Sequence, residues 1–362
     1  APLNTPELEA ELLKAYGTGK YANMDYQLAT VKDKNILRVT PAEKAWGPNY
    51  IRSGINLAWE NSGESDYNLR MAYHMTQLNQ RGGELIATGQ IGTNNQLGLN
   101  YYQPFSANQR WFTELDGSFA NNRTDFYQDN KIQTKYRTGQ TELNAALGYN
   151  FERYGTFKIG AVQRWQTADL NIGPPEIFDS SYHKSTQGWY ASAQFDRTNQ
   201  LYFPTKGWSA RMQYFGASDY SKLSAELMGV YSLSDFVFTG KAAYVGSPKG
   251  DLPFLDGARL GGVNFLSGLS SGQMRGGDLK YAGLRVERII GKMPLGIRGD
   301  LRLGLGAEAG KMEQRYTETQ RAGWVRSLGL YLGAETPIGP AYLGVAKANG
   351  SDTRVYLFIG TP

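Results

Sequence analysis

Residues Ile297 to Gly310 alternate with a period of two. Ile297, Leu301, Leu303, Leu305, Ala307 and Ala309 fall on one side, and Arg298, Asp300, Arg302, Gly304, Gly306 and Glu308 on the other. Such a period puts the two sets on opposite faces of one β-strand, so a single face carries Arg, Asp, Arg and Glu together. Few places accept such a strand. In a soluble sandwich the charged face is the outside and the leucines are core. In a membrane barrel the leucines meet lipid and the charges line a wet lumen. The pattern recurs in Ile51–Glu60, where Ile51, Ile55, Leu57 and Trp59 oppose Arg52 and Asn56, and in Tyr67–Asn79, where Tyr67, Leu69, Met71 and Tyr73 oppose Asn68, Arg70 and His74. Alternation alone leaves both readings open.

Counting the connections separates them. From Trp46 onward, turn-forming clusters such as Asn61–Ser65, Asn121–Asn130, Asn171–Lys184, Ser247–Gly277 and Lys311–Arg321 give about fifteen connections, hence about sixteen strands. Along the middle of the chain short and long connections alternate, and the long ones carry the polar residues. An even-numbered meander of this kind predicts a 16-stranded antiparallel transmembrane β-barrel over residues 45–362. Closure removes the unpaired edges that hydrocarbon would not tolerate. No stretch approaches the ~18 apolar residues of a membrane helix, which leaves a barrel untouched because its strands are short and alternating. Trp46, Tyr50, Trp189, Trp208, Trp324 and Tyr356, near strand ends, are the expected interfacial girdles. Leu260–Gly277 has six glycines and no sustained alternation. Within the long loop 247–277 it is expected to fold back and plug the lumen.

Composition excludes several function classes. The chain has no cysteine, which removes disulfides and thiolate metal ligands. The net charge of +5 comes from Lys and Arg scattered singly among Asp and Glu, without the basic run of a nucleic-acid binder. The 44 glycines and 24 tyrosines favour β structure. Before the barrel, Thr5 and Pro6 start a short amphipathic helix with Leu8, Leu12 and Tyr16 on one face. Two strand-like runs follow, Tyr21–Thr30 and Asn35–Thr40. This α-β-β unit, residues 1–44, is too small to hold a core alone and reads as the end of a larger module. No signal peptide is visible, so an exported chain of this sequence is processed or a fragment.

Specific motifs carry a family resemblance. Glu43-Lys44-Ala45-Trp46-Gly47-Pro48-Asn49-Tyr50 resembles the barrel entry of patatin-like phospholipases of type V secretion, subtype d. Thr76-Gln77-Leu78-Asn79, Gly82-Gly83-Glu84-Leu85 and Tyr102-Gln103-Pro104-Phe105 are similar to the strands that follow in that family. Asp196-Arg197-Thr198-Asn199 with Phe203-Pro204-Thr205-Lys206-Gly207 resembles a pattern shared with two-partner secretion transporters and outer-membrane assembly barrels. The resemblance implies a barrel in the outer membrane of a Gram-negative bacterium, preceded by a truncated periplasmic POTRA domain. It implies a translocator or anchor for an N-terminal patatin-like lipase absent from this chain. The implied partners are outer-membrane lipid, the fused lipase, the barrel-assembly machinery and, as something permitted rather than required, a second copy in a homodimer. No catalysis, cofactor or metal is assigned to this chain. A passive porin-like channel and, further off, a β-rich soluble hydrolase are the alternatives.

The superfamily's long loop carries a V-R-G-[FY]-like motif, whose Arg pairs in the lumen with an acidic group. Here the matching residues are Leu266-Ser267-Gly268-Leu269, and the Arg is missing. Glu308 is the implied acidic partner. Either Arg275 substitutes from further along the loop, the favoured expectation, or the contact is remade without charge. Arg298, Asp300 and Arg302, with Arg52, Arg70 and Arg285, are expected to hydrate the lumen wall or, in an open pore, to select ions. Gly268-Leu269-Ser270-Ser271-Gly272 matches G-x-S-x-G and Asp256-Gly257-Ala258 matches a patatin Asp motif. A nucleophile elbow needs a helix after the serine, and Gln-Met-Arg-Gly-Gly does not supply one. His74 and His183 are far apart and lack carboxylates at ligand spacing, so a metal site is not expected.

Overall fold

The computed structural model describes residues 21–31, 34–43, 49–62, 65–106, 108–152, 154–179, 181–293, 299–336 and 338–360. The expected N-terminal helix, Trp46, most of the entry octapeptide and Arg298 lie outside these residues. β1 (Tyr21–Val31) and β2 (Lys34–Glu43) form an antiparallel hairpin at the place where the sequence predicts two strands.

Sixteen strands then close into one antiparallel barrel. They are β3 (Tyr50–Glu60), β4 (Ser65–Met75), β5 (Glu84–Gly92), β6 (Asn95–Pro104), β7 (Trp111–Gln128), β8 (Lys131–Phe151), β9 (Gly155–Ile172), β10 (Ser181–Asp196), β11 (Gly207–Ala217), β12 (Ser221–Leu233), β13 (Phe236–Gly246), β16 (Leu279–Lys292), β17 (Asp300–Lys311), β18 (Val325–Thr336), β19 (Gly339–Ala348) and β20 (Arg354–Ile359). Between β13 and β16 the long loop carries a ribbon of two short strands, β14 (Ala258–Leu260) and β15 (Met274–Gly276). Every wall strand pairs with its neighbours in sequence order, and β20 closes on β3 through Tyr356↔Glu60 to Ile359↔Leu57.

Side chains are sorted inside out. On β17 Leu303 is 41% and Leu305 61% exposed, whereas Arg302 on the other face is 2% exposed. Ile51, Leu57 and Trp59 on β3 and Tyr67, Leu69 and Met71 on β4 are likewise exposed on the outer face. An apolar outer belt over a polar interior is stable only with hydrocarbon outside. A cation placed in that belt should therefore be costly. Leu305→Arg, mid-strand and outward, is expected to destabilise the barrel by about 2–4 kcal/mol in urea titrations in lipid bilayers, as for cations near a bilayer midplane. Glycine at the same position should have a smaller effect.

Two expectations need correction. Tyr356 is not an interfacial aromatic: on β20 it shares the inward parity of Arg354 and Phe358 and is buried in the lumen. Trp189, Trp208 and Trp324 are outward and exposed. The expected loop Asn121–Asn130 is mostly strand, because β7 and β8 run on to a two-residue turn at Asp129 and Asn130, both with positive φ. That conformation gives the primed turn whose twist suits a hairpin. The segment reads as loop because it is polar on both faces. The 18, 21, 18 and 16 residues of β7 to β10 exceed what a bilayer needs, about 9–11 residues, so their far ends stand in water.

Candidate functional site

The loop between β13 and β16 runs across the lumen and is fixed to both walls. On one side Asp256 is a buried hub. It accepts from Arg164 of β9 at 2.7 Å and from the Tyr220 hydroxyl at 2.6 Å, and its carbonyl accepts from Lys222 of β12 at 2.6 Å. Arg164 also donates to Glu142 of β8 at 2.6 Å. Leu252 packs with Val162, Phe215 and Tyr220 beside this network.

The tip of the loop crosses to the opposite wall, where Leu266-Ser267-Gly268-Leu269 meets Glu308. The Glu308 carboxylate accepts the Leu266 amide at 3.1 Å, the Ser267 amide at 2.7 Å, the Ser267 hydroxyl at 2.7 Å and the Tyr281 hydroxyl at 2.8 Å. Arg285 of β16 stands 3.8 Å away and supplies the balancing charge. The Gly268 amide donates to Ser327 Oγ of β18 at 2.9 Å. Arg354 of β20 takes the other polarity: its guanidinium donates to the carbonyls of Ser267 and Leu269 and pairs with buried Glu60 of β3. Between them these groups satisfy the backbone of a segment removed from water. Leu260, Leu266, Leu269 and Met274 then pack with Leu279, Tyr281, Met312 and Val325.

Arg275 does not take the missing arginine's place at Glu308. The carboxylate is filled by two backbone amides and a hydroxyl on the loop itself, which bring donors without the cost of burying a second cation there. Arg275 is held elsewhere: its amide donates to Thr317 Oγ1 at 2.8 Å and its guanidinium lies over the Phe254 ring at 5.3 Å. Burial, reinforced by the like charge of Arg259, pushes its guanidinium below the ordinary arginine range. Arg302 donates to Glu287 of β16 at 3.0 Å and stacks over Phe203 at 5.1 Å, while Tyr331 donates to Glu287 at 2.7 Å. Asp300 pairs with Lys292 at the strand's far end.

The barrel is also obstructed at both ends. Phe203, from the β10–β11 connection, enters the N-terminal mouth and packs with Tyr331, Tyr342, Tyr356 and Phe358. At the other mouth the β7–β8 hairpin reaches the loops of the diametrically opposite strands. The Asn130 amide donates to Glu318 at 2.9 Å, the Glu318 amide to the Tyr127 carbonyl at 3.0 Å and Asn130 Nδ2 to the Gly350 carbonyl at 3.0 Å. Gln273 of the plug donates to both Asn130, at 3.1 Å, and Glu318, at 2.9 Å.

Ser270 and Asp256 make separate contacts. The Ser270 amide binds Gln273, and Asp256 is committed to the opposite network. His74 bonds Glu84 at 2.7 Å and the Tyr50 hydroxyl. Sequence reasoning missed Glu60, Glu287, Ser327 and Arg354. The inward parity of Arg354 and Glu60 on adjacent strands was the available signal, but pairing the last strand with the first requires closure to be known.

Disruption of the seat at Arg354 should be large. Arg354→Met leaves Glu60 buried without its balancing cation and is expected to cost about 3–5 kcal/mol, read as a lower temperature of heat-modifiability on gels. Adding Glu60→Gln should restore part of the loss.

The fold and its interior define a class: a sixteen-stranded outer-membrane-type barrel whose lumen is occupied by its own long loop. Residues 77–361 match the Omp85 superfamily domain, and the chain belongs to that superfamily. Among solved structures it is similar to BamA from Haemophilus ducreyi lacking POTRA domains 1–3, with TM-score 0.72 and 15% identity over 99% of this chain and 78% of that one. It is also similar to CdiB from Acinetobacter baumannii, with TM-score 0.60 and 13% identity over 95% and 67% of the two chains. CdiB from Escherichia coli gives TM-score 0.61 and 10% identity over 99% and 71%. At such identities these likenesses concern the fold. No curated protein matches the sequence.

Proposed function

We propose that this chain is the membrane-embedded translocator and anchor of a patatin-like phospholipase whose catalytic domain lies N-terminal to it. The observation that carries the reading is the octapeptide Glu43–Tyr50, which stands between the β1–β2 hairpin and the first barrel strand and resembles the barrel entry of those enzymes. In this reading residues 1–44 are the end of a periplasmic POTRA domain, and the plug-bearing loops face the cell exterior. Its partners are outer-membrane lipid, the lipase and the barrel-assembly machinery, and two barrels can associate as a homodimer. The chain itself does no chemistry. The charges Asp300, Arg302 and Glu308 serve the lumen wall and the loop seat.

A test uses the native protein. Antibody against the barrel is used to isolate it from bacterial outer membranes, and phospholipid hydrolysis is measured on the isolate. The expected result is a polypeptide longer than 362 residues with phospholipase activity that co-purifies with it. A native polypeptide without a lipase segment, inactive on phospholipid, contradicts the proposal.

The porin alternative requires a lumen that small solutes cross freely, and the seated loop, Phe203 and the β7–β8 arch disfavour it. Wild-type protein in planar bilayers is accordingly expected to stay closed for most of the recording.

A further inference from the structure

The plug carries two arginines that the loop seat does not use. Pairing of β14 with β15 puts Arg259 directly opposite Arg275. Arg275 is 5% exposed, and its Nε and Nη1 are buried without a hydrogen-bond partner. Among the described residues neither arginine has a carboxylate within ion-pair distance. Both line a lumen cavity of about 320 Å³, together with Arg123, Asp125, Ser271 and Gly272.

The carboxylates that line this cavity are engaged by other cations. Arg123 pairs with Asp66 and Asp125, each at 3.3 Å, and Glu60 is taken by Arg354. Asp125 also acts on Arg275 from a distance. Neither aspartate carboxylate is within ion-pair distance of the Arg275 guanidinium, whose Nε and Nη1 stay without a hydrogen-bond partner. A guanidinium out of bulk water is expected to recruit an anion, and its planar fork matches the oxygens of a phosphate or similar group. Gly272 leaves the approach open, since even an added Cβ would lie 4.0 Å from Arg275 Nη2. Ser271 lines the same wall.

We propose that this cavity is an oxyanion site, in which Arg275 and Arg259 bind a phosphate-class group that holds the β14–β15 ribbon in the lumen. The group comes either from free phosphate or from a lipid headgroup. The inference does not depend on the lipase reading, because it concerns only the barrel and its plug.

The test uses the full chain in phosphate-free detergent at constant ionic strength. Inorganic phosphate is titrated against chloride while the temperature of heat-modifiability is followed. For wild type the midpoint should rise by several degrees and saturate. For Arg275→Gln the rise should vanish, and for Arg259→Gln the apparent affinity should fall by about tenfold, as expected for loss of a charge-assisted contact. A parallel series with phosphatidylglycerol in the micelles and no free phosphate identifies the source, a rise there alone assigning a headgroup. Broadening of the phosphorus resonance of added phosphate by folded wild type gives a readout independent of the variants. No rise and no broadening in either series, or an equal rise in wild type and both variants, overturns the proposal.

Discussion

Glu308→Ala should unseat the loop tip and convert a closed barrel into a conducting one. The substitution removes the acceptor for the Leu266 and Ser267 amides, the Ser267 hydroxyl and the Tyr281 hydroxyl, and leaves Arg285 without its carboxylate. Breaking a buried charged centre from one side costs about 3–5 kcal/mol, because each stranded donor still carries its desolvation penalty. In the equilibrium between seated and released loop this is about a hundredfold to several thousandfold. The barrel wall should survive, since its ladder bonds are backbone to backbone and the Glu308 side chain takes no part in them. Planar-bilayer recordings should therefore show frequent large openings, while the protein still migrates as a folded barrel before boiling. Glu308→Gln, which keeps an oxygen acceptor but no charge, should fall between.

The second large effect is steric. Gly268 lies so close to the wall that a Cβ would meet Ala348 N at 2.4 Å and Lys347 C at 2.6 Å. Both are backbone atoms of β19, whose ladder to β18 holds Ser327 opposite Ala348. They cannot retreat without breaking that ladder, so the loop must move. Gly268→Val is expected to cost about 3 kcal/mol or more, the upper range for overpacking, with the same openings and raised protease sensitivity in the loop. Because Gly268 and Glu308 act through one seat, the double variant should do little more than either alone.

The wall was legible because a single physical rule wrote it. Lipid outside and water inside force period two, and β17 shows it plainly: Leu303 and Leu305 outward, Arg302 and Glu308 inward. Strand number followed from turn chemistry. What failed was any inference that needed the second solvent boundary. The ends of β7 and β8 stand in water on one face and against the plug on the other, so Asn122 to Asp125 look like loop although they are strand. Tyr356 was misplaced because a tyrosine near a strand end fits both a girdle and a lumen, and only its parity with Arg354 decides.

The seat was half legible. Leu266 to Leu269 and Glu308 could be named in advance from the family resemblance, and the structure brings them together. How they meet could not be read, because backbone amides leave no trace in sequence. An expected arginine is replaced here by the geometry of a turn in which Asn264 and Leu266 take positive φ. Arg354 and Glu60 sit 294 positions apart, and only barrel closure makes them neighbours.

The most direct test is thiol protection at the seat. The chain has no cysteine, so Ser267→Cys introduces a single thiol at a position that is 8% exposed and whose amide still reaches Glu308. In the folded, membrane-inserted protein this thiol should resist a bulky water-soluble maleimide until the barrel is boiled, whereas Ser267→Cys combined with Glu308→Ala should label before boiling. Rapid, complete labelling of the single variant, in a barrel that is still heat-modifiable, would show that the loop does not lie in the lumen.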